Sequence, residues 1–202
     1  GVAVIGTGVN PGFVMDRLPV TLAQATGRVE HVFVKRTVDL ARRRVSLQRK
    51  LGVGLTAEEF SERAAAGAIG HVGLMESAAL VALGVGDSVD GVDEELSPLF
   101  ADVPLRANWG PVEPGRVVGV RQLARAVSGG HEVARLELHF ALGAPSPADE
   151  IQLTSDPPLR LVVQGGVPGD SATGWSVVRT AHTLAARGLT GLVTVLDLPL
   201  GS

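Results

Sequence analysis

The spacing of hydrophobic residues changes at Gly86. Before it, helical spacing predicts helices over residues 12–25, 56–66 and 70–86, with strands only at 2–5 and 29–37. Pro19 lies inside the first predicted helix and indicates a kink or a late start. After Gly86, short runs separated by Gly and Pro predict strands at 89–101, 117–127, 132–143, 149–155 and 159–166. A long amphipathic helix then follows over 169–188 and ends at Gly188.

This order of elements predicts an α+β fold. We expect one mostly antiparallel sheet of about five strands with helices on one face. Helix 56–66 has the clearest start, because Thr56 is followed by acidic residues in the first turn. Val2–Ile5 is expected to be a buried strand.

Composition and net charge argue against several classes of protein and site. The 202 residues carry a net charge of −3, which gives no basic surface for nucleic acid or anionic membranes. There is no cysteine, so disulfides, cysteine nucleophiles and thiolate metal sites are excluded. No apolar run reaches the roughly 18 residues that span a bilayer, and no signal peptide is recognisable. A cytoplasmic protein is expected.

The opening glycines resemble a nucleotide-binding turn but have the wrong spacing. The fingerprint G-x-G-x-x-G is replaced by Gly6-x-Gly8-x-x-x-Gly12, with Pro11 in the gap. The next strand ends in Lys35 and Arg36 rather than in the acidic residue that binds ribose hydroxyls. A free-standing NADP-binding fold therefore remains only the third interpretation of the chain.

Longer motifs point elsewhere. The stretches TGVNPGFVMDRLP, RRRVSLQRKLGVGLTAEEF, GHVGLMES and GGVPGDSATGWSVVRTAHTLAARGLTGLVTVLDLP resemble the 2,4-diaminopentanoate dehydrogenase family, which includes native amine dehydrogenases. That family is grouped with dihydrodipicolinate-reductase-like enzymes. The matching stretches run from Gly6 to Pro199 and so cover nearly the whole chain.

The resemblance implies two parts. Residues 1–12 would be the last strand and turn of an N-terminal Rossmann domain that is otherwise absent, and residues 13–202 the substrate-binding and dimerisation domain. The absent domain would bind most of the NAD or NADP and would carry the family's catalytic glutamate. No catalytic residue is expected within the 202 residues, which alone should be inactive.

The turn Asn10, Pro11 and Gly12 is the candidate cofactor-binding element. Asn10 offers both a donor and an acceptor, and free N–H groups at a helix start suit a polar or anionic group. The residues alone equally fit an ordinary strand-to-helix turn with an Asn cap. The resemblance implies that this turn meets the nicotinamide end of the cofactor and the substrate.

Arg36, His71 and His139 are the candidate substrate-binding residues. Arg36 ends a strand beside the turn, within a basic stretch that otherwise suits a solvated surface. His71 lies between Gly70 and Gly73, where a neutral imidazole could face a cleft or simply pack in the core. Alternation puts His139 on the face opposite Leu138 and Phe140, so it faces water or a cavity, and the resemblance implies a pocket residue.

Three further positions have structural explanations that compete with functional ones. Asp170 is expected to cap the last helix, with Thr173 a minor pocket residue. Trp109 is either a packed loop aromatic or part of a pocket or dimer contact. Arg179 stands where the resembling family has Asn, which leaves the substrate open.

The resemblance favours the interpretation that the chain is one part of an oxidoreductase. The whole enzyme would use NAD or NADP and act on a small amine, ketone or imine. The five histidines show no metal-binding pattern, and no metal is expected. The alternative is a non-catalytic dimerisation or ligand-binding module with a vestigial cleft. Scarce aromatics and long Val/Leu strands predict a homodimer that covers a sheet face or edge.

Overall fold

The computed structural model describes residues 1–199, which form ten strands and five α-helices. A short 3₁₀ helix follows the second strand at Leu40–Arg42. The helices are α1 (Arg17–Ala23), α2 (Val45–Lys50), α3 (Ala57–Ala65), α4 (Leu74–Gly84) and α5 (Gly169–Arg187). The strands are β1 (Ala3–Val4), β2 (Val29–Asp39), β3 (Gly91–Phe100), β4 (Leu105–Ala107), β5 (Gly110–Val112), β6 (Val117–Ser128), β7 (His131–Ala141), β8 (Ala148–Ser155), β9 (Leu159–Gln164) and β10 (Gly191–Leu192).

The main sheet has six strands in the order β3-β6-β7-β2-β8-β9. It is mixed, because β2 and β7 run parallel at its centre. The α+β class is confirmed, but the expected mostly antiparallel sheet of about five strands is corrected to a six-stranded mixed one. Hairpins join β6 to β7 and β8 to β9, whereas β2 enters between β7 and β8 from far earlier in the chain.

The central strands bury one face and leave the other polar. The even-numbered residues 32–38 on β2 and 134–140 on β7 are buried, and on this face the sheet packs against α4 and α1. The opposite face carries charged side chains joined by ion pairs, such as Arg121 to Glu137 and Arg125 to Glu95. The buried face is therefore the one on which helices and loops can enclose a cavity.

Local signals explain the helix ends that matter here. Thr56 and Glu59 form the reciprocal capping box expected for α3, and Gly188 ends α5 in a left-handed conformation. The expected Asp170 cap is wrong, since Pro168 is the N-cap residue and Asp170 lies in the first turn. The first helix starts late, at Arg17.

The opening strand is shorter and more exposed than expected. β1 pairs only with β10, in a two-stranded parallel sheet apart from the main one. Val2 is 79% exposed and Val4 is 61% exposed, so the expectation of a buried strand is corrected. The segment after β1 packs on α5 instead, where the Thr7 hydroxyl lies 3.2 Å from those of Ser176 and Thr180.

Candidate functional site

The turn at Asn10–Gly12 is locked by a buried carboxylate. Asp16 is completely buried, and its Oδ2 accepts hydrogen bonds from the Gly12 backbone N–H at 2.7 Å and from the Ser77 hydroxyl at 2.9 Å. A Cβ on Gly12 would lie 2.4 Å from the Gly8 nitrogen, so only glycine fits. Burial raises the pKa of Asp16, and these donors oppose the shift. The turn is thereby fixed against α4.

Asn10 holds an amide with unused hydrogen-bonding capacity. Its Nδ2 and Oδ1 are both inaccessible to solvent and find no partner among residues 1–199. Buried amide atoms are almost always hydrogen-bonded, because an unpaired one costs about 1–3 kcal/mol. An amide of this kind could pair with a ligand that offers both a donor and an acceptor.

His71 lies in the loop just before α4, and its ring packs against the sheet. The imidazole meets Phe140 edge to face, with 6.2 Å between ring centroids and 82° between the planes. Its Nδ1 is buried and makes no hydrogen bond of normal geometry within the described chain, although the backbone at Asn10 and Val72 lies close enough to the ring to favour its protonated form. Burial, with the cation of Lys50 adding to it, lowers the pKa of His71 to about 4. The ring is therefore neutral at pH 7 and can both donate and accept.

Arg36 is buried on β2 and is already paired. Its Nη1 donates to Asp149 Oδ2 at 3.0 Å and its Nη2 to the Val167 carbonyl at 2.7 Å. Asp149 Oδ2 also accepts from the Val167 N–H, which ties the segment before α5 to the sheet. These two bonds use two of the five guanidinium N–H donors, and the side chain also borders a cavity.

These groups surround one cavity of about 150 Å³. Asn10, His71 and Arg36 supply polar groups to its wall, and Val38 and Phe140 supply apolar ones. Thr173, near the start of α5, also lines it and accepts from the Val9 N–H at 3.3 Å. The arrangement can hold a small molecule with one polar end and a short apolar body.

The predicted site residues divide between two faces of the sheet. Asn10, Arg36 and His71 come together at the cavity, with Pro11 packed against Gly73 beside them. His139 pairs in register with Arg121 and Thr37 on the polar face, so the expectation that it shares a pocket with His71 does not match its position. Partial burial lowers the pKa of His139, and Lys35 adds to this. Trp109 lies over Gly54 beside a separate surface pocket.

Among the buried polar residues that sequence reasoning missed, three support the candidate site: Asp16, Gln122 and Asp149. A signal existed for Gln122, because alternation along β6 places it on the same face as Val120 and Ala124. Asp149 and Arg36 are register partners on β8 and β2, and such a pairing is not readable from one sequence. Asp16 is the N-cap residue of α1, and the prediction of a helix from residue 12 placed it inside the helix instead.

Other kinds of site find no support in the described part of the chain. Residues 1–199 contain no cluster of three or more His, Asp or Glu side chains able to hold a metal ion. No helix in the same range has both the length and the apolar character needed to cross a membrane.

Three comparisons with known proteins each find similar ones. A family model described as the 2,4-diaminopentanoate dehydrogenase C-terminal domain matches residues 13–202. The chain is 28% identical to the 2,4-diaminopentanoate dehydrogenase of Acetoanaerobium sticklandii, over 99% of the chain and 58% of that protein. The structure of an amine dehydrogenase from Mycobacterium smegmatis shares the fold, with a TM-score of 0.82 at 23% identity, over 98% of this chain and 59% of that one. The chain thus spans less than three fifths of the length of either protein.

Proposed function

Because the chain belongs to the family of 2,4-diaminopentanoate dehydrogenase C-terminal domains, we propose that it is the substrate-binding part of an NAD(P)-dependent oxidoreductase acting on a small amine, ketone or imine. The observation that carries the proposal is the shared cavity, where the amide of Asn10 and Nδ1 of His71 are buried without a hydrogen bond of normal geometry. Those atoms match the hydrogen-bonding needs of an amine, imine or carbonyl group. The two named relatives are both dehydrogenases.

The cavity residues would bind and orient the substrate. Neutral His71 can donate to a carbonyl oxygen or accept from an amine N–H, and Arg36 would supply further donors to the same cavity. Val38 and Phe140 would pack on the carbon skeleton and exclude water from the reacting carbon. Loss of a hydride to the oxidised cofactor and of a proton to solvent would convert the amine to an imine, and hydrolysis of the imine, once water is readmitted, would give the carbonyl compound and ammonia.

The cofactor would be held mostly outside residues 1–199. Asn10 fits one end of it, because the orphaned amide matches a carboxamide such as that of nicotinamide. The glycine turn before it lacks the spacing that binds a pyrophosphate. When bound, NAD or NADP supplies or accepts the hydride. The chain's own part is to place the substrate carbon within about 3–3.5 Å of that position.

A separate Rossmann domain would complete the site. Residues 1–12 would belong to its sheet, which accounts for the exposure of Val2 and Val4 on β1 and of Leu192 on β10. Trp175, on α5, is 58% exposed and lines a second cavity of about 190 Å³ next to the glycine turn. This apolar surface suits a packed domain contact better than water.

The active form would be a homodimer. The polar face of the sheet carries alternating charges, including Lys35, Glu137 and Arg121 in one connected set. A second copy of the same face could pair with it isologously, since each copy presents both signs. Light scattering at micromolar concentration would give twice the chain mass, and a strict monomer would contradict the dimer.

The test of function is turnover by the full-length protein. Small amines with NAD⁺ or NADP⁺, and ketones with ammonium and NADH or NADPH, should yield measurable rates with at least one pair. Asn10→Ala and His71→Ala should each lower kcat/KM about 10- to 100-fold, equivalent to about 1.4–2.8 kcal/mol. His131→Ala, at the exposed first residue of β7, is the matched control and should have no effect. No turnover with any pair would instead favour a non-catalytic ligand-binding module.

A further inference from the structure

One side chain of the sheet holds the loop that carries His71. Gln122 lies on β6 and is 2% exposed. Its Oε1 accepts from the His71 backbone N–H at 2.7 Å, and its Nε2 donates to the His71 carbonyl at 2.8 Å. Both backbone polar groups of His71 are therefore satisfied by a single amide, in the way that a neighbouring strand would satisfy them.

The loop needs such a restraint because glycines flank His71. Gly70 has φ +117° and Gly73 has φ +96°, conformations that L side chains rarely adopt. A Cβ on Gly70 would lie 3.4 Å from Gln122 Oε1, so the loop backbone passes close to the amide. Without the two hydrogen bonds, these glycines would let the His71 peptide reorient at little cost.

Glu94 fixes which way the Gln122 amide faces. The Gln122 Nε2 donates a further hydrogen bond, at 2.8 Å, to Glu94 Oε1 on β3. A flipped amide would set its NH₂ group against the His71 N–H, and its oxygen against both the His71 carbonyl and the Glu94 carboxylate. Each of those three contacts would be repulsive, so the network permits one orientation.

We propose that Gln122 is a positioning residue for the candidate site: its amide, oriented by Glu94, holds the His71 peptide so that the ring stays against Phe140 with Nδ1 beside the cavity. Gln122 itself is not among the residues that line the cavity, so it acts through His71. The evidence for this positioning is the set of hydrogen bonds that Gln122 makes to His71 and Glu94. Only its effect on catalysis rests on the proposed function.

The test compares Gln122→Leu with Gln152→Leu in the full-length protein. Gln152 is an exposed β8 residue whose side chain donates to Glu150, far from His71 in the sheet, so it is a matched control. Histidine labelled with ¹³C allows each ring to be titrated by NMR. In Gln122→Leu the pKa of His71 should rise from about 4 towards its ordinary 6.5, because water reaches the ring. The cations Lys50 and Arg36 persist and keep the rise incomplete.

Amide exchange gives a second, direct readout. The His71 N–H should exchange with solvent about tenfold faster or more in Gln122→Leu, because its acceptor is gone. Glu94→Ala changes an exposed side chain and provides the test should Gln122→Leu fail to fold. It should accelerate the same exchange several-fold. Unchanged His71 titration and exchange in the folded variants would overturn the positioning role.

Steady-state kinetics separate this inference from the proposed function. With a turned-over substrate, Gln122→Leu should lower kcat/KM about tenfold, while Gln152→Leu should leave it unchanged. A shifted His71 titration with unchanged kcat/KM would leave the positioning role standing. That outcome would overturn the part assigned to His71 in the reaction.

Discussion

The neutral state of His71 couples the candidate site to folding stability. Its pKa is about 4 in the folded chain against 6.5 when solvated, so the unfolded chain binds the proton more readily between these values. Stability is therefore complete above about pH 6.5 and decreases as the pH falls towards 4, by roughly 2–3 kcal/mol from this group. Urea unfolding of His71→Gln across that range should show a smaller loss than the parent chain. An equal loss in both would contradict the burial of the ring.

His139 tests which face of β7 borders the cavity. Alternation correctly separated His139 from Leu138 and Phe140, but could not show that the cavity lies on the Phe140 side. His139→Ala should leave the KM of the full-length protein within about twofold, since a surface change away from the ligand rarely exceeds 0.5 kcal/mol. A tenfold rise in KM would instead show that His139 belongs to the substrate site.

At the scale of elements, the contact between α1 and α4 depends on Asp16 and Ser77. Removing the hydroxyl leaves the buried carboxylate with one donor fewer, so Ser77→Ala should lower the free energy of unfolding by about 1–2 kcal/mol. Ser97→Ala, on exposed β3, is the control and should cost under about 0.5 kcal/mol. Chemical denaturation measures both, and equal costs would show that the hydroxyl bond contributes nothing.

Elements were predictable where their determinants are local. Thr56 with Glu59 marks the start of α3, and Gly188 marks the end of α5, because caps act within one turn. The parallel pairing of β2 with β7 joins residues about a hundred positions apart, and no local pattern encodes it. The cavity could not be predicted for the same reason. Asn10, Arg36 and His71 were each recognisable as candidates, but their proximity depends on strand order and on the packing of α5.

At the scale of the whole molecule, the proposed Rossmann domain predicts that an apolar surface on α5 and β10 is covered. Trp175 and Val178 on α5 and Leu192 on β10 are each more than half exposed. A full-length protein with a packed Rossmann domain should shield them, since apolar surface gains about 25 cal/mol for each Å² removed from water. Acrylamide should therefore quench Trp175 fluorescence strongly in the 202-residue chain and weakly in the full-length protein.

The Trp175 signal can be isolated by subtraction. Trp109, 39% exposed, contributes to the emission of both proteins, so Trp175→Phe serves as the reference in each. The difference between the parent and Trp175→Phe reports only the α5 ring. Equal quenching of that difference in the short and long proteins would show that α5 stays in water. The Rossmann domain would then have to meet the cavity without packing on this surface, and residues 1–12 would lose their assigned place in its sheet.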